Sequence, residues 1–214
     1  MSRTRIKICG ITRAIDLDVA LGVGVDALGF VFYPPSPRAL TPAAAAVLLR
    51  QVPPFVTRVG LFVNAEPAEV RQTLATAAID LLQFHGDETA AYCEQFGLPY
   101  IKAARMKPHL DLLEFARTYP AARGLLLDAW VETYGGSGQP FDWSMIPAGL
   151  PVPMVLSGGL HVGNVAEAVA KVRPWAVDVS SGVESAKGIK DADKIAAFVA
   201  AVRTADAKIE NARQ

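Results

Sequence analysis

Cysteine is scarce in this chain. Only Cys9 and Cys93 occur in 214 residues, without Cys-x-x-Cys or Cys–His ligand spacing. That excludes a disulfide framework and a zinc module, and it fits a reducing, cytoplasmic setting. An excess of either charge is missing too, since Lys+Arg and Asp+Glu both total 21. Such a balance sets up no field to gather nucleic acid or an anionic membrane, so neither is expected as a partner. No apolar run approaches the roughly 20 residues of a membrane helix. The opening "MSRTRIKICG" lacks the apolar stretch of a secretory signal, so a soluble intracellular protein is expected. A G-x-G-x-x-G fingerprint is also lacking, which argues against a dinucleotide-binding open sheet.

What is present is a regular alternation of two patterns. Short β-rich runs occur at 5–9, 26–32, 57–63, 79–84, 99–104, 124–129, 153–157 and 175–180. Several are apolar on consecutive residues, as strands covered on both faces should be. Alanine-rich stretches of helical period separate them. One opens on Thr41-Pro42, an N-cap followed by proline at the first helical position. The link before the seventh run, "DWSMIPAGLP", is only weakly helical. Eight strand–helix units imply parallel strands and right-handed crossovers. The predicted fold is therefore an α/β (β/α)8 TIM barrel in one compact domain over residues 1–203, with a polar, fraying tail at 204–214.

In a barrel the strand exits and the loops after them form the active face. Cys9 ends the first strand and Asp128 stands near the end of the sixth. Gln83 and His85 flank the end of the fourth, and Arg38 lies on the proline-rich loop "YPPSPRALTP". Cys9 reads equally as a buried small hydrophobe and as a reactive thiol at a cavity edge. Asp128 follows "LLL", where a lone carboxylate is costly, so a structural partner and an acid role both remain open. Arg38 reads either as a solvated loop charge or as a carboxylate-binding guanidinium. Ser157-Gly158-Gly159 and Ser180-Ser181-Gly182 follow strands seven and eight, where small residues let backbone N–H groups approach a phosphate. Cys93 is expected in the core, His109 and His161 at the surface, and the three tryptophans in packing.

Taken in order, "KICGIT", "GFVFYPPSPR", "LLQFHGDE", "LLLDA", "LSGGL" and "VDVSSGVE" resemble the phosphoribosylanthranilate isomerase family of tryptophan biosynthesis over roughly residues 5–198. The resemblance implies a cofactor-free, metal-free Amadori rearrangement of a phosphorylated small molecule. N-(5′-phosphoribosyl)anthranilate would become 1-(2-carboxyphenylamino)-1-deoxyribulose 5-phosphate. It places the general base on Cys9, the general acid on Asp128 and the anthranilate carboxylate on Arg38. Phosphate contacts fall on Gly158, Gly159, Ser181 and Gly182, and further substrate contacts on Gln83 and His85. Relatives often carry threonine where this chain has His161. "GGSGQPFDW" matches the family's glycine-rich loop after strand six, which could close over substrate. A modest electropositive push on Cys9 is expected to supply thiolate. Two other readings compete: a related ribotide isomerase of histidine biosynthesis, disfavoured by Cys9 and by the lack of a two-fold repeat, and a non-catalytic phosphate-binding barrel. Monomer and homodimer are equally compatible with the sequence.

Overall fold

The computed structural model describes residues 3–129 and 141–212. Eight parallel strands close into one barrel in sequence order, β1 pairing with both β2 and β8. They are β1 Arg5–Cys9, β2 Ala27–Val31, β3 Thr57–Phe62, β4 Leu81–Phe84, β5 Tyr100–Met106, β6 Leu125–Ala129, β7 Met154–Leu156 and β8 Ala176–Val179. Closure leaves no strand edge unpaired, so the predicted barrel is the observed one.

Helices α1 Ala14–Gly22, α2 Pro42–Leu49, α3 Pro67–Thr76, α4 Ala90–Glu94, α5 Leu112–Thr118, α6 Val165–Val172 and α7 Ala192–Asn211 form the outer layer. Thr41 caps α2 by accepting from the Ala44 N–H, with Pro42 at the first turn as the sequence suggests. Between β6 and β7 the described residues contain only the 3-10 turn Trp143–Met145. A short antiparallel pair, β9 Glu184–Ala186 with β10 Ile189–Lys190, follows β8 and has no counterpart in the sequence reading. Residues 204–211, expected to fray, instead continue α7; Ala205 is buried and Asp206 accepts from Thr4 N–H and Oγ1, both at 2.7 Å.

Alternation along each strand divides the side chains into two sets. One set packs outward under the helices, including Phe62 and Phe84, whose ring centroids lie 6.4 Å apart. The other fills the interior in layers. Ile101, Ala103, Leu126, Val155 and Ala176 form one apolar layer, and Cys9, Val31, Leu61 and Val63 another. The ion pair Lys7–Asp178, 2.8 Å long, is buried inside the same barrel. Arg5, Lys7 and Cys9 alternate with the outward Ile6 and Ile8, so the first strand already carries the interior's polar row in its sequence.

Candidate active site

The strand exits surround a cavity of about 120 Å³. Its wall includes Cys9, Arg38, Gln83, His85, Asp128 and the segment from Ser157 to Leu160, closed by Ser180 and Ser181. The predicted site residues are thus brought together, with Gly182 immediately beyond Ser181. A larger cleft of about 1120 Å³ lies elsewhere, lined by residues 141–144 and 146–150 together with Arg5 and Trp175, near the N-terminal ends of β1 and β8. Strand N-termini are the stability end of a barrel, and none of the predicted site residues faces that cleft.

Asp128 is not isolated. Its Oδ2 lies 2.9 Å from His85 Nε2, and Gln83 Nε2 lies 3.0 Å from His85 Nδ1. With the amide donating to Nδ1, the ring hydrogen sits on Nε2 and points at Asp128. Gln83 is fully buried and its Oε1 has no partner among the described residues. Gln83 therefore orients His85 from within the cavity wall.

Cys9 is 5% exposed. Burial pushes its thiol up, Lys7 pulls it down, Asp178 pushes up again, and the net direction is upward. The expected electropositive push is present as Lys7, but desolvation of the nearly enclosed sulfur outweighs it, so the thiol is moved up rather than down.

Arg38 is not a solvated loop charge. Its Nε and one terminal nitrogen donate to the two Glu184 oxygens at 2.7 and 2.8 Å. Lys190 Nζ donates to the same carboxylate at 2.9 Å and to Ser180 O at 3.0 Å. Burial alone would raise Glu184, but these two cations hold it below the usual carboxylate range. Burial lowers Lys190 despite that carboxylate. A bidentate partner fixes the guanidinium plane and leaves its outer edge for a second anion.

The two glycine segments approach each other closely. Gly158 and Gly159 have φ of 77° and 69°, which a side chain would strain. A Cβ on Gly182 would lie 1.9 Å from Leu160 O. Asn164 locks the first loop by donating to Gly159 O at 2.9 Å and accepting from His161 N–H at 2.8 Å. Among the described residues, the backbone N–H groups of Gly158, Gly159, Ser181 and Gly182 have no protein acceptor. Converging donors of this kind form an anion cradle. His161 does not line the cavity; its Nδ1 accepts from Gly163 N–H.

Sequence reasoning missed Lys7, Asp178, Glu184 and Lys190, all buried charges at or behind the mouth. The signal was there for Lys7 and Asp178, since each lies two residues before a predicted site position on the same strand face. Cys93 is buried as expected, its thiol pushed up to about 12 by burial. Trp175 departs from its expected packing role: it is 46% exposed, with the Arg5 guanidinium 3.4 Å above its ring. Most of the glycine-rich loop after β6 lies outside the described residues, as does Trp130. Among the described residues no group of three His, Cys, Asp or Glu side chains is placed to hold a metal, and no helix is long and apolar enough to cross a membrane.

A closed parallel barrel with polar side chains and an anion cradle at its strand exits defines a (β/α)8 enzyme acting on a small anionic molecule. Residues 6–201 match the family model described as N-(5'phosphoribosyl)anthranilate (PRA) isomerase. The chain belongs to that family. The N-(5'-phosphoribosyl)anthranilate isomerase of Dechloromonas aromatica (strain RCB) is 62% identical over 207 residues, covering 97% of this chain and all of the relative. The crystal structure of the Thermotoga maritima phosphoribosyl anthranilate isomerase superposes with a TM-score of 0.85 at 42% identity, over 94% of this chain and 99% of that one. A second crystal structure, of a phosphoribosyl anthranilate isomerase in complex with reduced 1-(o-carboxyphenylamino)-1-deoxyribulose 5-phosphate, gives 0.82 at 39% identity, with the same coverage of both chains.

Proposed function

We propose that the barrel mouth carries out the Amadori rearrangement of N-(5′-phosphoribosyl)anthranilate to 1-(2-carboxyphenylamino)-1-deoxyribulose 5-phosphate, with Asp128 as general acid and Cys9 as general base. The observation that carries the division of roles is that the two side chains line one cavity together with the glycine cradle and Arg38. Family membership favours this substrate over the histidine-pathway ribotide.

The phosphate would be received by the N–H groups of Gly158, Gly159, Ser181 and Gly182, and the anthranilate carboxylate by the outer edge of Arg38. Anchored at both ends, the ribose lies between acid and base. Asp128, acting as the acid, gives a proton to the furanose oxygen as the C1′–O4′ bond breaks, leaving a protonated Schiff base at C1′. The His85 Nε2–H then stabilises the carboxylate left behind. Electron withdrawal by the Schiff base acidifies C2′–H, and the Cys9 thiolate removes that proton to give an enolamine. Tautomerisation places the carbonyl at C2′. No step needs an oxidant, a metal or an organic cofactor.

Cys9→Ala and Asp128→Asn test the assignment by following loss of substrate anthranilate fluorescence. Each variant should fold normally and lose at least about 10²–10⁴-fold in kcat. Undiminished turnover in either one removes that residue from the mechanism. Undiminished binding with no turnover by the unmodified protein favours the non-catalytic barrel.

A further inference from the structure

The acid–base scheme leaves a buried charge behind the cavity without a task. Lys7 is 4% exposed on β1, two residues before Cys9 and on the same interior face. Opposite them on β2 stands Gly29, in register with Cys9. A Cβ at Gly29 would meet Cys9 Sγ at 2.7 Å and Lys7 Nζ at 3.0 Å. Sulfur and ammonium therefore share the small volume that this glycine leaves open. On the other side of β1, Asp178 of β8 accepts from Lys7 Nζ at 2.8 Å, and its second oxygen lies 3.4 Å from Ser157 Oγ. An ammonium has three hydrogens to place, and among the described residues Asp178 is its one carboxylate partner.

We propose that Lys7 is the positioning residue for Cys9: its ammonium, tethered by Asp178 and admitted by Gly29, donates to the sulfur and serves as counter-ion to the thiolate that takes the C2′ proton. The proposal rests on Cys9 being the base. Its support is geometric and reinforced by charge. Around the sulfur stand Lys7 on β1, Asp178 on β8, Lys190 on β10, and Arg38 from the β2–α2 loop, the last two sharing Glu184 on β9. Across the cavity are Asp128 and His85, which face each other. The near shell holds three cations and two carboxylates, so a thiolate brings it to balance. Without Lys7 the near shell is already neutral, and the buried sulfur has no reason to ionise. Lys7 is also the leading group that opposes the burial of the thiol.

A purely structural Lys7–Asp178 plug predicts something different, and the thiol itself separates the two. In a Cys93→Ala background, the rate of Cys9 alkylation by iodoacetamide is measured against pH without substrate, beside a thermal melt. Lys7→Met should move the titration midpoint to higher pH by at least about one unit and lower kcat near neutrality about tenfold or more with little change in KM. Asp178→Asn should move it the other way, because Lys7 then faces the sulfur alone. Opposite shifts establish the coupling. Midpoints unmoved in both folded variants, or moved in the same direction, overturn it. Should Lys7→Met fail to fold, Asp178→Asn decides on its own, an unmoved midpoint counting against the proposal. Full turnover by Cys9→Ala would remove the catalytic meaning while the alkylation profile still reports the contact.

Discussion

Gly29 shows how much a single hydrogen can decide. The residue lies in regular parallel strand, so its backbone makes no demand for glycine; the demand comes from Cys9 and Lys7, which fill the space a side chain would take. Gly29→Ala must push the sulfur out of place. Because interiors are close-packed, a displacement of this kind costs catalysis before it costs the fold. We expect kcat to fall by about 10²-fold with KM nearly unchanged, measured by steady-state anthranilate fluorescence. Arg38 gives the complementary pattern. Arg38→Met leaves Glu184 facing Lys190 only and removes the carboxylate fork, so KM should rise well beyond any change in kcat. A product analogue without the carboxylate should then bind both proteins alike; retained discrimination by the variant would count against this role. These roles were partly legible in the sequence. The exit positions of Cys9 and Asp128 follow from strand period and the barrel rule. The partners do not, because Asp178 is 171 residues from Lys7 and Glu184 is 146 from Arg38, and only barrel closure brings them together.

At the scale of an element, the segment after β4 carries His85 and needs a reason to hold still. Lys102 supplies it. Its position on β5 is outward, away from the cavity, and the side chain is 1% exposed. Nζ donates to Gly86 O at 2.7 Å, Phe84 O at 3.3 Å and Glu88 Oε2 at 3.2 Å. Glu88 in turn accepts from the N–H groups of Gly86 and Asn64, so one buried pair fastens the exits of β3, β4 and β5. Removing the cation leaves Glu88 buried and unpaired, a loss of about 3–5 kcal/mol. Lys102→Met should therefore lower Tm by roughly 6–20 °C in a thermal melt. If the unfolding temperature holds, the pair is not what secures this loop. The strand-and-helix alternation around it was readable because both faces of β5 are covered. The lysine was not, since in "PYIKAA" it looks like a solvent-facing alternate residue. The weakly helical link before β7 and the absence of a proper helix there were legible for the opposite reason: "DWSMIPAGLP" has two prolines and no helical stripe.

The whole molecule is a ring, and a ring fails at its seam. Here the seam joins β8 to β1, with register from Arg5–Ala176 to Ile8–Val179. Charge contributes to the stability of the whole fold in a pH-dependent way. Glu184, held below the ordinary carboxylate range by Arg38 and Lys190 despite its burial, stays ionised in the folded chain when the unfolded chain takes up a proton. Its contribution is complete above about pH 5 and is lost as the pH falls through the unfolded value near 4.3 towards the native one. The seam also has a mechanical tie. α7 runs for 20 residues, and its late residue Asp206 accepts two hydrogen bonds from Thr4, which is itself buried at the entry to β1. The polar look of residues 204–214 hides this, because a lone aspartate in a charged stretch reads as solvated until the barrel brings the first strand beneath it. Asp206→Ala leaves the Thr4 N–H and hydroxyl in a buried position without their acceptor. Hydrogen bonds to a charged group contribute about 1.5–3 kcal/mol each, and the two share one carboxylate, so a loss of about 2–3 kcal/mol is expected. Asp206 is not among the residues lining the cavity at the strand exits, so kcat and KM measured well below the melting transition should match the unaltered protein. An unchanged Tm would show that closure rests on the β8–β1 ladder alone. A lowered kcat at full folding would mean instead that strain at the entry of β1 reaches Lys7 and Cys9 along the strand.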